Sequence, residues 1–397
     1  MKLFKITIFC IILFLFSCNK DEIFPQSYTP QLGEPHFITT SSALPPEAAC
    51  MSSNNNCGIM IHENRLYMAW RTAETHFASA NALMYIISSS DLGNTWNYET
   101  TISLNADLRE PNFLSYKGKL HLYFFMGGTN PLSFEPKEVY RVTKQADGSW
   151  SAPISCNDPG FVPWDLRVRN NVAYMMGYKG ESYASGTSKI KVIFKYSTDG
   201  ENWQNVGGKD YIYEGGVSEV SWDFDLNGKI WAVTRNEDGD SSGFGSHLAY
   251  ADAADISAWH FPVKSNPNRY DSPRMFTHEG ELYLIARRDV DGVFDLGMNW
   301  LPFNMQKSLN LAAYSLRKKK TALYKINTQT QRIEHLLDLP SAGDNAFPSI
   351  VQTAPHSFLI SNYTSPLINT DWNWIQGQVS SQGTKIYLIK LDFIPGQ

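Results

Sequence analysis

Arg109-Glu110-Pro111-Asn112-Phe113-Leu114-Ser115-Tyr116-Lys117-Gly118-Lys119-Leu120-His121-Leu122-Tyr123-Phe124 reads as an acidic residue, an apolar run, a polar turn carrying glycine, and a second apolar run. Two strand-like runs around such a turn form an antiparallel hairpin. The phrase returns with Asp165, Glu219, Asp271 and Asp344 in the place of Glu110, about every 52 to 55 residues as far as Asp271 and after a longer interval at Asp344. Self-similarity of this length points to a propeller or a solenoid. In a circular array, five carboxylates at one equivalent place converge on a central space.

Working outward, inner strands are predicted to begin near Gly58, Asn112, Leu166, Val220, Arg274 and Ser349, each followed by a turn and a partner strand. Third strands follow, and outer strands are expected to begin at tryptophans. The reading is all-β: a six-bladed β-propeller of four-stranded antiparallel blades. The last blade lacks an outer strand, which the early segment His36 to Thr40 is expected to supply. A two-domain β-sandwich is the structural alternative.

At the amino terminus, Lys2 and Lys5 precede an apolar stretch, Ile6 to Phe16, too short to span a bilayer and shaped as a secretory signal. Residues 1–17 are assigned to it. The ending Leu15-Phe16-Ser17-Cys18 resembles the lipobox of bacterial lipoproteins, which implies lipidation of Cys18. The following Asn19-Lys20-Asp21-Glu22 resembles the charged export tag of Bacteroidetes surface lipoproteins. Residues 18–46 carry five prolines and read as a semi-rigid, lipid-anchored spacer. Residues 47–397 are one domain. The expected location is the outer membrane or cell surface, or its periplasmic face, with the membrane reached only through the lipid.

Aromatics at 13% and hydrophobics at 43% supply an ample core, and a formal charge of -5 gives no sign of nucleic-acid binding. Beyond Cys10 and Cys18 stand Cys50, Cys57 and Cys156; the first two can close a small disulfide loop in an oxidising compartment, and Cys156 reads as a buried free thiol.

Ser89-Ser90-Asp91-Leu92-Gly93-Asn94-Thr95-Trp96 resembles, position for position, the Asp-box (BNR repeat) of the sialidase-like propellers. A shorter form is Ser197-Thr198-Asp199-Gly200-Glu201-Asn202-Trp203, with degenerate versions before Trp150 and Trp259. The tryptophan spacings of 54, 53 and 56 residues reproduce the repeat independently of the carboxylates. The resemblance implies turns on the face away from the active site, so these residues report fold and not chemistry. Fold alone does not fix function.

Function has to be read from the strand starts. Glu110, Asp165, Glu219 and Asp271 are expected to be the catalytic acid/base set, with Asp344 in the same ring. Arginines stand beside them: Arg109, Arg167 and Arg274, with Arg71, Arg287 and Arg288 at the ends of second strands. Carboxylates act as acid, base or nucleophile on a glycosidic bond, and arginines clamp a sugar carboxylate. The same pairs also suit structural salt bridges between blades. Sialidases combine three arginines, a tyrosine nucleophile activated by a glutamate, and an aspartate acid/base. Arg109-Glu110-Pro111 resembles their Arg-Ile-Pro motif, with a charged residue at its centre and in the second repeat instead of the first. Tyr363 ends the second strand of the last blade, where it either faces the cup or packs in the core.

Arg71, His76, Arg109, Trp164, Arg167, Arg274 and Asp344 are the expected substrate-binding residues. His76 offers a proton donor near neutral pH or a loop hydrogen bond, and Trp164 an indole that stacks on a sugar or packs the blade. Neither a metal site nor a cofactor is read from the sequence. An insertion between Asp289 and Tyr314 makes the fifth repeat about twenty residues longer than the rest, and Arg317-Lys318-Lys319-Lys320 reads as a solvated strand edge. The expected function is a glycoside hydrolase acting on a glycan or oligosaccharide. The alternatives are a non-catalytic glycan-binding lipoprotein and a lyase acting on uronic acids.

Overall fold

The structure, a computed structural model, describes residues 27–180 and 189–396. Cys18 and the signal segment lie outside the described residues. Six antiparallel sheets follow one another along the chain. The first runs through Ser53–His62, Arg65–Ala73, Leu83–Ser89 and Asn97–Ile102. The next four open on Leu108–Tyr116, Phe161–Arg169, Val217–Phe224 and Asp271–His278, and the sixth on Asn345–Ala354. Each opening strand touches the opening strands of its two neighbours, and the sixth touches the first, so the sheets close into a ring as the blades of a propeller.

The ring is closed by the early chain. Tyr28–Leu32 pairs antiparallel with Lys385–Pro395 and forms the outer strand of blade 6. The closing strand thus starts earlier than His36–Thr40; of that segment, His36–Phe37 pairs with Lys385–Pro395 further along. Part of the proline-containing spacer is therefore built into a blade.

Blades are cemented by the turns between third and fourth strands. Asp91 accepts hydrogen bonds from the Thr95 amide (2.9 Å) and hydroxyl (2.7 Å), which fixes the turn and aims Trp96 inward. Trp96 then packs with Ile386 and Leu388 of blade 6. Asp199 likewise accepts from the Glu201 and Asn202 amides at 2.8 Å. Trp150 of blade 2 donates to Glu99 of blade 1, Trp203 of blade 3 to Tyr123 of blade 2, and Trp259 of blade 4 meets Phe194 of blade 3 edge-on. Each tryptophan reaches the preceding blade.

The long fifth repeat contains helix α1 (Phe303–Ser315), and a second short helix, α2 (Trp374–Val379), follows in blade 6. The basic run beside α1 departs from a solvated edge: Lys319 is buried and pairs with Asp289 and the Tyr314 carbonyl, because α1 folds over that end of the strand. Cys50, Cys57 and Cys156 are free thiols. No described helix is long and apolar enough to cross a membrane.

Candidate active site

Every inner strand is interrupted at the same height. Register shifts fall at Asn55/Cys57, Arg109/Asn112, Pro163/Asp165, Val217/Val220, Asp271/Arg274 and Ala346/Ser349. A bulge re-aims side chains, and six at one level turn a set of residues toward the axis. Glu110, Ser272 and Phe347 have φ of 55°, 49° and 53° there, left-handed backbone that a non-glycine residue adopts only under tertiary constraint.

On one side of this level lies a cleft of about 290 Å³. Its lining includes Glu110, Glu219 and Glu237, the guanidinium-bearing Arg109, Arg235 and Arg287, and His76, Tyr178 and Trp374. Arg235 bridges three carboxylates, meeting Glu219 at 2.5 Å, Glu237 at 2.7 Å and Asp271 at 3.2 Å. Glu219 also accepts the Ser272 amide at 2.7 Å, whereas Glu110 accepts the neutral Asn56 amide at 3.0 Å. Burial lifts the Glu110 carboxyl to about 8, with the nearby Glu219 charge adding to the rise and Arg109 opposing it. Burial raises Glu219 as well, against the pull of Arg235. A guanidinium and an amide on Glu219 favour its anion, so of this pair Glu110 is the better proton carrier at neutral pH.

Behind the wall, Asp271 is fully buried and accepts from Arg269 at 2.5 Å, Arg287 at 3.3 Å and the Tyr314 hydroxyl. Burial would raise its carboxyl, but Arg269, Arg235 and Arg287 together hold it low. It is a counter-ion that does not line the cleft, in contrast to the expected catalytic role. Asp344, equally buried, meets His76 Nδ1 at 2.6 Å and accepts from Tyr363 (3.0 Å) and Trp374 (3.3 Å). Arg71 is also buried. It bonds Asp107 and the Thr75 and Phe77 carbonyls, thereby holding the loop that carries His76, and it does not reach the cleft. Arg109 links Asp107 (2.5 Å) to the His76 carbonyl (2.6 Å) from the cleft side.

Four expected site residues, Trp164, Asp165, Arg167 and Arg274, lie elsewhere. In blade 3 a single residue, Trp164, occupies the bulge, so Asp165 is carried past it. Trp164 is buried, meets Phe347 at 5.4 Å and donates to the Pro273 carbonyl, closing the axis as a plug instead of offering a sugar platform. Beyond the plug, Asp165 accepts from Arg274 (2.6 Å), Arg167 (3.0 Å) and Ser221 (2.5 Å), and Arg167 also reaches Asp223. This ion network lines a separate channel on the far side.

Sequence reasoning did not single out Arg235, Glu237 or Tyr178. A signal for the arginine existed: Arg71 bonds Asn55, Arg235 bonds Glu219 and Arg287 bonds Asp271, each pair separated by 16 residues.

The sequence matches no protein-family profile. No curated protein matches it. Solved structures do. A protein of unknown function from Dyadobacter fermentans superposes with TM-score 0.60 at 13% identity, covering 91% of this chain and 99% of that one. Trypanosoma rangeli sialidase in complex with sialic acid gives 0.57 at 13% identity, covering 91% of this chain and 58% of that chain. The endosialidase of phage phi92 gives 0.55 at 10% identity over 94% and 70%. At these identities the likeness is one of fold: the chain has a six-bladed β-propeller fold similar to that of these sialidases.

Proposed function

We propose that this protein is a glycoside hydrolase acting on glycans that carry a carboxylate, held at the bacterial outer surface or in the periplasm by a lipid on Cys18. The observation that supports it is the cleft pair: Glu110, with its carboxyl lifted to about 8, beside an Arg235-bound Glu219. Glu110 donates its proton to the glycosidic oxygen as the bond to the anomeric carbon breaks. Glu219 either attacks that carbon or takes a proton from the incoming water. Arg109, Arg235 and Arg287 supply a guanidinium-lined wall for the sugar carboxylate.

His76 on Asp344 favours a second reading, a lyase in which the imidazole removes a proton next to a uronate carboxylate. The test is incubation of the soluble protein, from Asn19 onward, with sialylated, uronate-rich and neutral glycans, with products identified by mass spectrometry. A released sugar with water added supports hydrolysis, and its anomeric configuration reports retention or inversion. An unsaturated product supports the lyase. Retention of a glycan without any product overturns both in favour of a binding module.

A further inference from the structure

On the face opposite the cleft, the hairpin turns of blades 5 and 6 bring together side chains that the proposed chemistry does not use. His278 ends the inner strand Asp271–His278, and Glu279 follows in the turn with φ 48°. His356 occupies the turn between Asn345–Ala354 and Ser357–Thr364. His278 Nε2 stands 2.9 Å from His356 Nδ1, and Glu279 Oε1 is 3.6 Å from that same nitrogen. All three ligand atoms lie within 4.8 Å of one another.

From this we infer that His278, Glu279 and His356 form a binding site for a divalent transition-metal ion of the zinc type, which clasps blades 5 and 6. A tetrahedral zinc ion with bonds of ~2.0–2.2 Å spaces its donor atoms about 3.3 Å apart. One nitrogen–nitrogen separation, 2.9 Å, and one nitrogen–oxygen separation, 3.6 Å, already stand near that spacing, so an ion needs only small side-chain adjustments. The hydrogen bond between the facing imidazole nitrogens holds one proton there; tautomerisation moves it to the other nitrogen of the same ring, so that both facing lone pairs of two neutral imidazoles are free to bond the ion. Two imidazoles with one carboxylate suit zinc, copper or nickel, whereas calcium and magnesium require oxygen donors.

The rings are held for the purpose by packing. Phe393 stacks on His278 at 4.0 Å, and Tyr28 meets His278 edge-on at 4.7 Å and His356 face-on at 4.9 Å. Tyr28 belongs to the closing strand and Phe393 to its partner. Glu279 is exposed and His356 partly so, which leaves an open coordination position and a path for the ion from solvent. An ion here therefore joins two blade turns directly beneath the strand that closes the ring.

The experiment uses chelator-treated protein bearing no histidine tag, titrated with zinc chloride by calorimetry, with thermal unfolding followed in parallel. Saturable one-to-one binding and a Tm that rises with zinc, but not with magnesium, are expected. Glu279→Gln and His356→Gln alter solvent-facing groups, so the metal-free Tm should stay near that of the parent while zinc affinity falls at least tenfold. Absence of saturable binding to the folded parent overturns the site. So does unchanged zinc affinity in His356→Gln.

Discussion

Glu110 concentrates the chemistry of the cleft in one side chain. Its carboxyl, ordinarily at 4.5, stands at about 8 chiefly through burial, so it carries a proton below that pH and loses it above. If it is the general acid, kcat/KM on an acidic glycan falls as pH rises through about 8, and Glu110→Gln lowers kcat by ~10²–10⁴-fold with the fold intact. The same shift has a stability consequence. Between 4.5 and about 8 the native state holds a proton that the unfolded chain has lost, so this group's contribution declines as pH rises across that window. Thermal unfolding of Glu110→Gln should show a shallower decline over the same range; an unchanged slope would assign the dependence to another group. Arg71 acts at one remove, since it holds the Thr75 to Phe77 loop. At this scale the sequence marked where carboxylates stand but not which way they turn. A one-residue difference in bulge sends Asp165 beyond the Trp164 plug, and no local feature distinguishes it from Glu110.

Strands were legible because their apolar alternation and turn residues recur, and the closing strand was misplaced because proline is compatible with an edge. Tyr28–Leu32 contains Pro30 and still pairs along its length with Lys385–Pro395, since only one of its edges is in a ladder. Removal of residues before Gly33 leaves the Leu391–Pro395 end of that partner strand with a bare edge, and a lower Tm with concentration-dependent association is the expected outcome, read by scanning fluorimetry and light scattering. The helix α1 was not legible as a helix: the insertion showed only as excess length. Its packing supports the wall behind the cleft, since Tyr314 of α1, together with Phe294 ahead of the helix, lies against the Arg269 guanidinium that faces Asp271. Close approach between inner strands imposes a different demand. A β-carbon on Gly58 would collide with the Pro111 carbonyl of the next blade. Gly58→Ala should therefore cost about 1–3 kcal/mol in urea unfolding, with the loss traced to the blade 1 and 2 contact.

For the whole molecule, the decisive constraint is that no blade owns the cleft. Arg109 and Glu110 come from blade 2, Glu219 and Arg235 from blade 4, Arg287 from blade 5 and Trp374 from blade 6, so their convergence depends on the ring staying closed. The seam between blades 6 and 1 is where that closure is completed, because blade 6 is assembled from both ends of the chain. Trp96 is buried in that seam with Leu66 and Met68 on one side and Ile386 and Leu388 on the other, whereas Trp150, at the seam of blades 1 and 2, is only partly buried. Truncating a large buried aromatic removes its packing and leaves a cavity, at a cost of about 3–5 kcal/mol. Trp96→Ala should lose about that much and Trp150→Ala less. Blades 1 and 2 remain joined by the chain between them, so opening that seam leaves the two blades tethered. If the ring is the cooperative unit, Trp96→Ala should also lower the denaturant midpoint for glycan binding and for tryptophan fluorescence together. Separate midpoints would mean that the cleft survives an opened seam.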